Sequence, residues 1–456
     1  MPRKVLLASI VGVISLIFLA PPAGSAPVTS RFDVTLSGII LPQMVWRDGI
    51  MFPDDTGSGW AEPGRVLVAG VPVSTREGQW FFYAGRTQIN LRIKGPDVNF
   101  LGKATTSALF SMDFNASGSR FLDNPIPRFR FGVIDVDWAR KAFTTKLRIG
   151  NFVGIANGIT VMSTSSPPFF SGSLVYPYEP QISLHHTFTL DKTTKLIVQY
   201  GAFWITGPGQ TRTNQRGLIS EAEEPAFQFA ATLSGVLWGK KPASIKTDFV
   251  WARLKIPAIA DPIPATPLPK EAVGDSYVWT NAFVLPLFGG LTLNGEVAWG
   301  QATSFYSMDR LGMFVPPPFA IDSQSGLPVN VDRARVRRAA SWFTWLNWEA
   351  TKKLTFNAAY GQILVSPGDV LRPTAASTIV TPAGLWFERQ WEYLFNVFYK
   401  FSPNWTLAAE YHKFHTKYVN ARFYPVATNR IPAGTLGLDV KDAGRSEIEV
   451  LFRYDF

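Results

Sequence analysis

Apolar and polar residues alternate along most of this chain with a period of two. In 446–456, Ile448, Val450, Phe452, Tyr454 and Phe456 share one face of an extended strand, while Glu447, Glu449, Arg453 and Asp455 share the other. In 86–94, Arg86, Gln88, Asn90, Arg92 and Lys94 oppose Thr87, Ile89, Leu91 and Ile93. Leu196, Val198, Tyr200, Ala202 and Trp204 form the apolar face of 194–204, as Trp391, Tyr393, Phe395, Val397, Tyr399 and Phe401 do in 391–401. Sixteen such segments are predicted, from 30–46 to 444–456. In 127–140, Arg128 and Arg130 alternate with Phe129 and Phe131, but Asp135 and Asp137 fall out of phase, which predicts a bulge near Val133 or Ile134.

The connections alternate too. Seven are short: Gly95-Pro96-Asp97, Arg140-Lys141-Ala142, Asp191-Lys192-Thr193, Gly239-Lys240-Lys241-Pro242, Phe288-Gly289-Gly290, Ala350-Thr351-Lys352 and Ser402-Pro403-Asn404. The others are long, including 47–79, 155–178, 303–335 and 418–443. An even number of strands with tight turns at one end and long loops at the other is the order of a closed antiparallel barrel. The predicted fold is therefore all-β, a transmembrane antiparallel barrel of sixteen strands. With an apolar exterior and a polar interior, a barrel of that size leaves an open lumen.

Composition sharpens the picture. Apolar residues make up 46% of the chain but are interleaved with polar ones, and the 35 Phe, 15 Trp and 13 Tyr suit aromatic girdles. Arg3 and Lys4, the apolar run from Val5 to Ala20 and the small residues Ala23-Gly24-Ser25-Ala26 read as a signal peptide over 1–26. The barrel then occupies 27–456, with seven short periplasmic turns and eight longer extracellular loops. No Cys is present, which excludes thiol chemistry and Cys-based zinc sites. The net charge of +10 falls to +8 once Arg3 and Lys4 leave with the signal, and it fits either an anion-preferring pore or contact with anionic head groups.

The signal, the alternating segments, the turn asymmetry and the terminal Tyr454-Asp455-Phe456 together resemble Gram-negative outer-membrane porins over essentially the whole mature chain. Gly85-Arg86-Thr87-Gln88 and Arg128-Phe129-Arg130 resemble the DcaP-like porins more narrowly, although the N-terminal helical extension that some of that family carry is missing. The resemblance implies a homotrimer, a third long loop folded into the lumen, and passive diffusion of small hydrophilic solutes. It also implies outer-membrane lipid, lipopolysaccharide and the outer-membrane assembly machinery as partners, with Phe456 closing the barrel. No cofactor and no nucleic acid are expected.

Parity then assigns the lumen. Arg86, Arg92, Lys94, Lys103, Arg128, Arg130, Lys146 and Arg148 form a basic wall against Asp113, while Glu296, Glu349, Glu392, Glu410, Glu447, Glu449 and Asp455 make the far wall acidic. A transverse field in a wet pore orients dipolar solutes, and a bland wet surface would tolerate the same charges. The third long loop, 155–178, carries no acid or base but contains Phe169, Phe170 and Tyr176, which would narrow the pore and leave the basic wall unopposed. The function expected is diffusion of small polar solutes with an anion preference; the alternatives are a substrate-specific uptake channel with a saturable site and a structural or adhesive barrel. Arg333, Arg335 and Arg337 suit a basic vestibule, a lipopolysaccharide contact or a solvated edge. Glu221-Ala222-Glu223-Glu224 fits a divalent cation less well than it fits a solvated loop.

Enzymatic readings find little support. His185 and His186 are adjacent and His412 and His415 differ by three, so each pair splits between opposite faces of a strand and cannot chelate one metal. Neither a phosphate-binding loop nor a Gly-x-Ser-x-Gly nucleophile pattern is present. No catalytic or metal residue is assigned.

Overall fold

The alternation closes on itself. The computed structural model describes residues 33–48, 78–99, 101–114, 127–156, 178–204, 225–239, 241–256, 272–301, 338–365, 387–422 and 439–456, with short paired pieces inside the longer connections. Residues 1–26, Phe169, Phe170, Tyr176, Arg333 and Arg337 lie outside the described residues. Within the unit Val34–Phe456, nineteen hydrogen-bonded segments make one sheet. They resolve into sixteen strands, because the first two are each broken once and Glu221–Ala222 adds a short rung beside the ninth.

These strands are β1 (Asp33–Ile40 and Gln43–Arg47), β2 (Gln79–Tyr83 and Gln88–Asn99), β3 (Lys103–Asp113), β4 (Arg128–Ala139), β5 (Phe143–Val153) and β6 (Tyr178–Thr189). Next come β7 (Lys195–Phe203), β8 (Ala226–Gly235), β9 (Ala243–Ile256), β10 (Ala272–Pro286) and β11 (Leu291–Gln301). The last are β12 (Arg338–Glu349), β13 (Leu354–Val365), β14 (Phe387–Lys400), β15 (Trp405–Arg422) and β16 (Asp439–Asp455). Each pairs antiparallel with its neighbour, and β16 pairs with β1 in the register Leu451↔Gln43, Glu449↔Val45 and Glu447↔Arg47. At that seam Gly38 N–H donates to Phe456 O at 2.9 Å and Phe456 N–H donates to Gly38 O at 3.1 Å. Glycine is required there, since a Cβ on Gly38 would lie 2.5 Å from the Phe456 ring and 2.4 Å from Gln88 O. The ring leaves no free sheet edge.

Six of the predicted turns lie where the sequence places them, at 140–142, 190–194, 236–242, 287–290, 350–353 and 401–404. In the fourth of these, Gly289 and Gly290 take positive φ of 56° and 82°, which glycine adopts without steric cost. The seventh differs. Gly95-Pro96-Asp97 lies inside β2 at a register shift, where Pro96 O accepts from Thr106 Oγ1, and the chain reverses instead at Leu101-Gly102. Proline has no N–H for the ladder, so an irregularity absorbs it as well as a turn would. The predicted β4 bulge exists but sits earlier, between Phe129 and Phe131, with Arg130 as the extra residue. That one insertion brings Asp135 and Asp137 onto the inner face.

The barrel is inside-out. Along β16, Ile448, Phe452 and Phe456 are 41%, 49% and 43% exposed, whereas Glu447 and Glu449 are 1% and 0% exposed. Trp279, Trp299, Trp348, Tyr393, Phe395 and Tyr399 are likewise exposed on the outside.

Candidate functional site

The inner face divides into two walls. On β2 to β6, charges meet as ion pairs that water still reaches in part. Asp113 accepts from Arg128 Nε at 3.0 Å and Nη2 at 2.6 Å, and Arg130 Nε stands 3.4 Å away. Both arginines reach one carboxylate because the bulge at Arg130 compresses the spacing. Asp135 accepts two bonds of 2.8 Å from Arg148 and one of 3.2 Å from Lys146, while Asp137 lies 3.6 Å from Lys146. The fork of Arg148 therefore holds Asp135 in bidentate geometry. Two inward rings brace these cations: Arg148 Cζ lies 4.1 Å from the Phe152 centroid and Arg130 Cζ 5.1 Å from that of Phe131, and the rings meet edge-on at 5.0 Å. Arg92 and Lys94 share this face by register and are exposed. Arg86 is buried at the break in β2, its guanidinium 5.8 Å over the Tyr83 ring. Lys103 stands at the turn, 3.4 Å from Asp97, and is highly exposed.

His185 continues this wall. Its Nδ1 accepts from Gln199 Nε2 at 2.6 Å and its Nε2 donates to Ser183 Oγ at 2.9 Å, a neutral imidazole in a fixed tautomer. His186 points outward, between Thr145 at 3.0 Å and Tyr200 at 3.1 Å, so the two adjacent histidines do take opposite faces.

The second wall runs from β12 through β16 to β1, and it is a polar core. Trp345 Nε1–H and Asn347 Nδ2–H donate to Asn357 Oδ1 at 2.9 and 2.6 Å; Asn357 donates to Asn396 at 2.6 Å; Asn396 donates to Glu410 at 2.7 Å. His412 lies between two carboxylates, with Nδ1 2.5 Å from Glu392 and Nε2 on Glu410. Both ring nitrogens face carboxylate oxygens, so this cluster holds an extra proton. Beside it Arg47 Nε donates to Glu447 at 2.5 Å, Arg445 Nη2 to Glu447 at 3.1 Å, and Gln43 to Glu449 at 3.2 Å. Glu296, Glu392, Glu410, Glu447 and Glu449 all face inward, and all are buried. Phe343, Trp345, Ala359 and Leu394 pack among them on the same inner face. Glu349 differs: it is half exposed at the turn end, 2.7 Å from Lys241.

The third long connection begins inside the barrel. After β5 the chain runs through Ile155 and Ala156, both buried, toward the inner face of β8 and β9. Ala156 N–H donates to Gln228 Oε1 at 3.1 Å, and Lys246 Nζ donates to Ile155 O at 3.2 Å while lying 3.1 Å from Asp248 Oδ2. Gln228, Lys246 and Asp248 were not singled out by the sequence. Parity in 244–250, where Lys246 and Asp248 alternate with Ile245, Thr247 and Phe249, was the available signal. Gln228 carried none. Among the described residues no three His, Cys, Asp or Glu side chains are grouped to hold a metal.

The fold has solved counterparts. The outer membrane channel DcaP of Acinetobacter baumannii is similar with a TM-score of 0.59 at 13% identity, over 94% of this chain and 98% of that one. The anion-selective porin from Comamonas acidovorans gives 0.48 at 10% identity, over 93% and 100%. OprB of Pseudomonas putida gives 0.44 at 10% identity, over 93% and 94%. Neither a family model nor a curated protein matches the sequence. At these identities the likeness concerns the fold, a sixteen-stranded antiparallel barrel of the porin kind.

Proposed function

We propose that this chain forms a water-filled channel in the outer membrane of a Gram-negative bacterium, through which small hydrophilic solutes diffuse with a preference for anions. The observation that carries the reading is the charge balance of the first wall. Arg92, Lys94, Arg128, Arg130, Lys146 and Arg148 face inward there against Asp113, Asp135 and Asp137, with Arg86 buried at the break in β2, and Arg92 and Lys94 stay exposed. Glu392, Glu410, Glu447 and Glu449 of the second wall present little charge to a passing ion, because they are buried beside His412, Asn396, Arg47, Arg445 and Gln43. A net positive, wet surface concentrates anions.

On this reading residues 1–26 are a signal peptide, the short turns face the periplasm and the long loops face outward. Phe169, Phe170 and Tyr176 narrow the opening, the channel assembles as a homotrimer, and lipopolysaccharide surrounds it. The likeness in fold to DcaP supports placing the chain nearest that subtype, and the channel performs no catalysis. The test is the reversal potential of the purified protein in a planar bilayer under a KCl gradient. An anion-preferring sign is expected. A cation-preferring sign overturns the selectivity, absence of conductance overturns the channel, and saturable block by one solute replaces free diffusion with a binding site.

A further inference from the structure

The stretch 155–178 contains no Asp, Glu, Lys or Arg. A segment of that composition forms no ion pairs of its own, and its backbone N–H and C=O groups need partners wherever they are buried. The inner wall supplies two such partners. Gln228, wholly buried on β8, accepts from Ala156 N–H at 3.1 Å, and Lys246 on β9 donates to Ile155 O at 3.2 Å. The contacts span 72 and 91 residues, so neither is a by-product of local turn geometry.

Asp248 completes the arrangement. Its side chain is 2% exposed, and Lys246 Nζ lies 3.1 Å from Oδ2 as an ion pair. The ammonium has three N–H donors, so the aspartate can hold it in place while another of them reaches the carbonyl of Ile155. A charge-assisted N–H to a backbone carbonyl is stronger than a neutral one. We propose that Lys246, charged and steered by Asp248 and seconded by Gln228, is a latch. It holds the root of the third long connection against the β8–β9 wall and so sets the width of the opening. Lys246 is on this account a positioning residue, and the inference rests on the channel reading given above.

Removing Lys246 alone would strand Asp248, so the informative variant is the charge-free double change K246M/D248N. With a barrel that still shows heat-modifiable migration, single-channel conductance and open-channel noise are expected to rise above wild type. Conductance equal to wild type overturns the latch. Since the chain has no Cys, K246C can be labelled at one position before refolding. An aminoethyl disulfide adduct, which restores an ammonium, is expected to return the conductance to the wild-type level, whereas a neutral ethyl adduct is not. Equal rescue by both adducts overturns the role of the charge. A second readout does not depend on conduction. Hydrogen exchange in a peptide covering 154–156 is expected to be faster in K246M/D248N and in Q228L, and unchanged protection overturns the latch. If wild type passes no current while exchange still responds, the channel reading fails and the latch stands.

Discussion

The wall of β2 to β6 and the wall running from β12 through β16 to β1 follow the same alternation and carry similar numbers of ionisable groups, yet they do different physical work. On the first, Arg148, Lys146 and Asp135 form a cluster that remains partly open to water. On the second, Glu392, His412 and Glu410 are almost wholly buried, with the Asn396 amide donating to Glu410 and the Trp345 indole one step further along the same chain of bonds, on Asn357. Charges left in water cost little to keep and act on passing ions. Charges removed from water are costly unless every partner is in place, and they then act on the shape of the barrel. An inward charge is thus not by itself a pore charge.

The largest expected effect tests this division directly. Replacing His412 by Leu leaves the Glu392 and Glu410 carboxylates facing each other without the cation between them, a change expected to cost about 3–5 kcal/mol. It would be read as a lower urea midpoint in refolding, and adding E392Q and E410Q should recover part of the loss. On the other wall, Arg148→Ala removes two hydrogen bonds to Asp135 but leaves Lys146 beside it. About 2 kcal/mol is expected there, with a reversal potential displaced toward cations. Arg92→Ala should leave stability within about 0.5 kcal/mol while displacing the reversal potential in the same direction. If Arg92→Ala destabilised the barrel as much as His412→Leu, the contrast between the walls would collapse.

The smallest effect lies outside both walls. In the β6–β7 turn, the Asp191 carboxylate accepts from the N–H groups of Thr193 and Thr194 and from the Thr193 hydroxyl, which holds its pKa down at about 2 from an ordinary 3.8. A depressed carboxylate pKa gives a contribution present above pH 3.8 and lost as pH falls through about 2. Asp191→Asn should flatten the stability profile in that acid window alone, as followed by tryptophan fluorescence.

The strands and most turns were legible because a barrel repeats one local rule sixteen times, and a period of two is visible within ten residues. What escaped depended on contacts that period does not encode. Gly95-Pro96 has the composition of a turn, and only the pairing of β2 with β3 makes it a bulge. The phase slip in β4 was visible as misplaced Asp135 and Asp137, but Phe129 and Phe131 gave no hint that the extra residue was Arg130. Glu392 and Glu410 read as wet because nothing local distinguishes a solvated glutamate from one facing His412. Lys246 and Asp248 were within reach of a stricter parity count. Their meeting with Ile155 was not, since it requires knowing that the chain enters the barrel after Val153.

Arg47 and Glu447 stand 400 residues apart in sequence, and Gln43 and Glu449 stand 406 apart. No fragment of the chain can make these contacts, and an open sheet lacking the β1–β16 pairing leaves all four side chains in water. Their dehydration is therefore tied to the final act of closure, when the longest loop in the topology is shut and its entropy is lost at once. A ring joined out of register would confront the buried Arg47 with a partner other than Glu447, so the seam's own chemistry favours the native register.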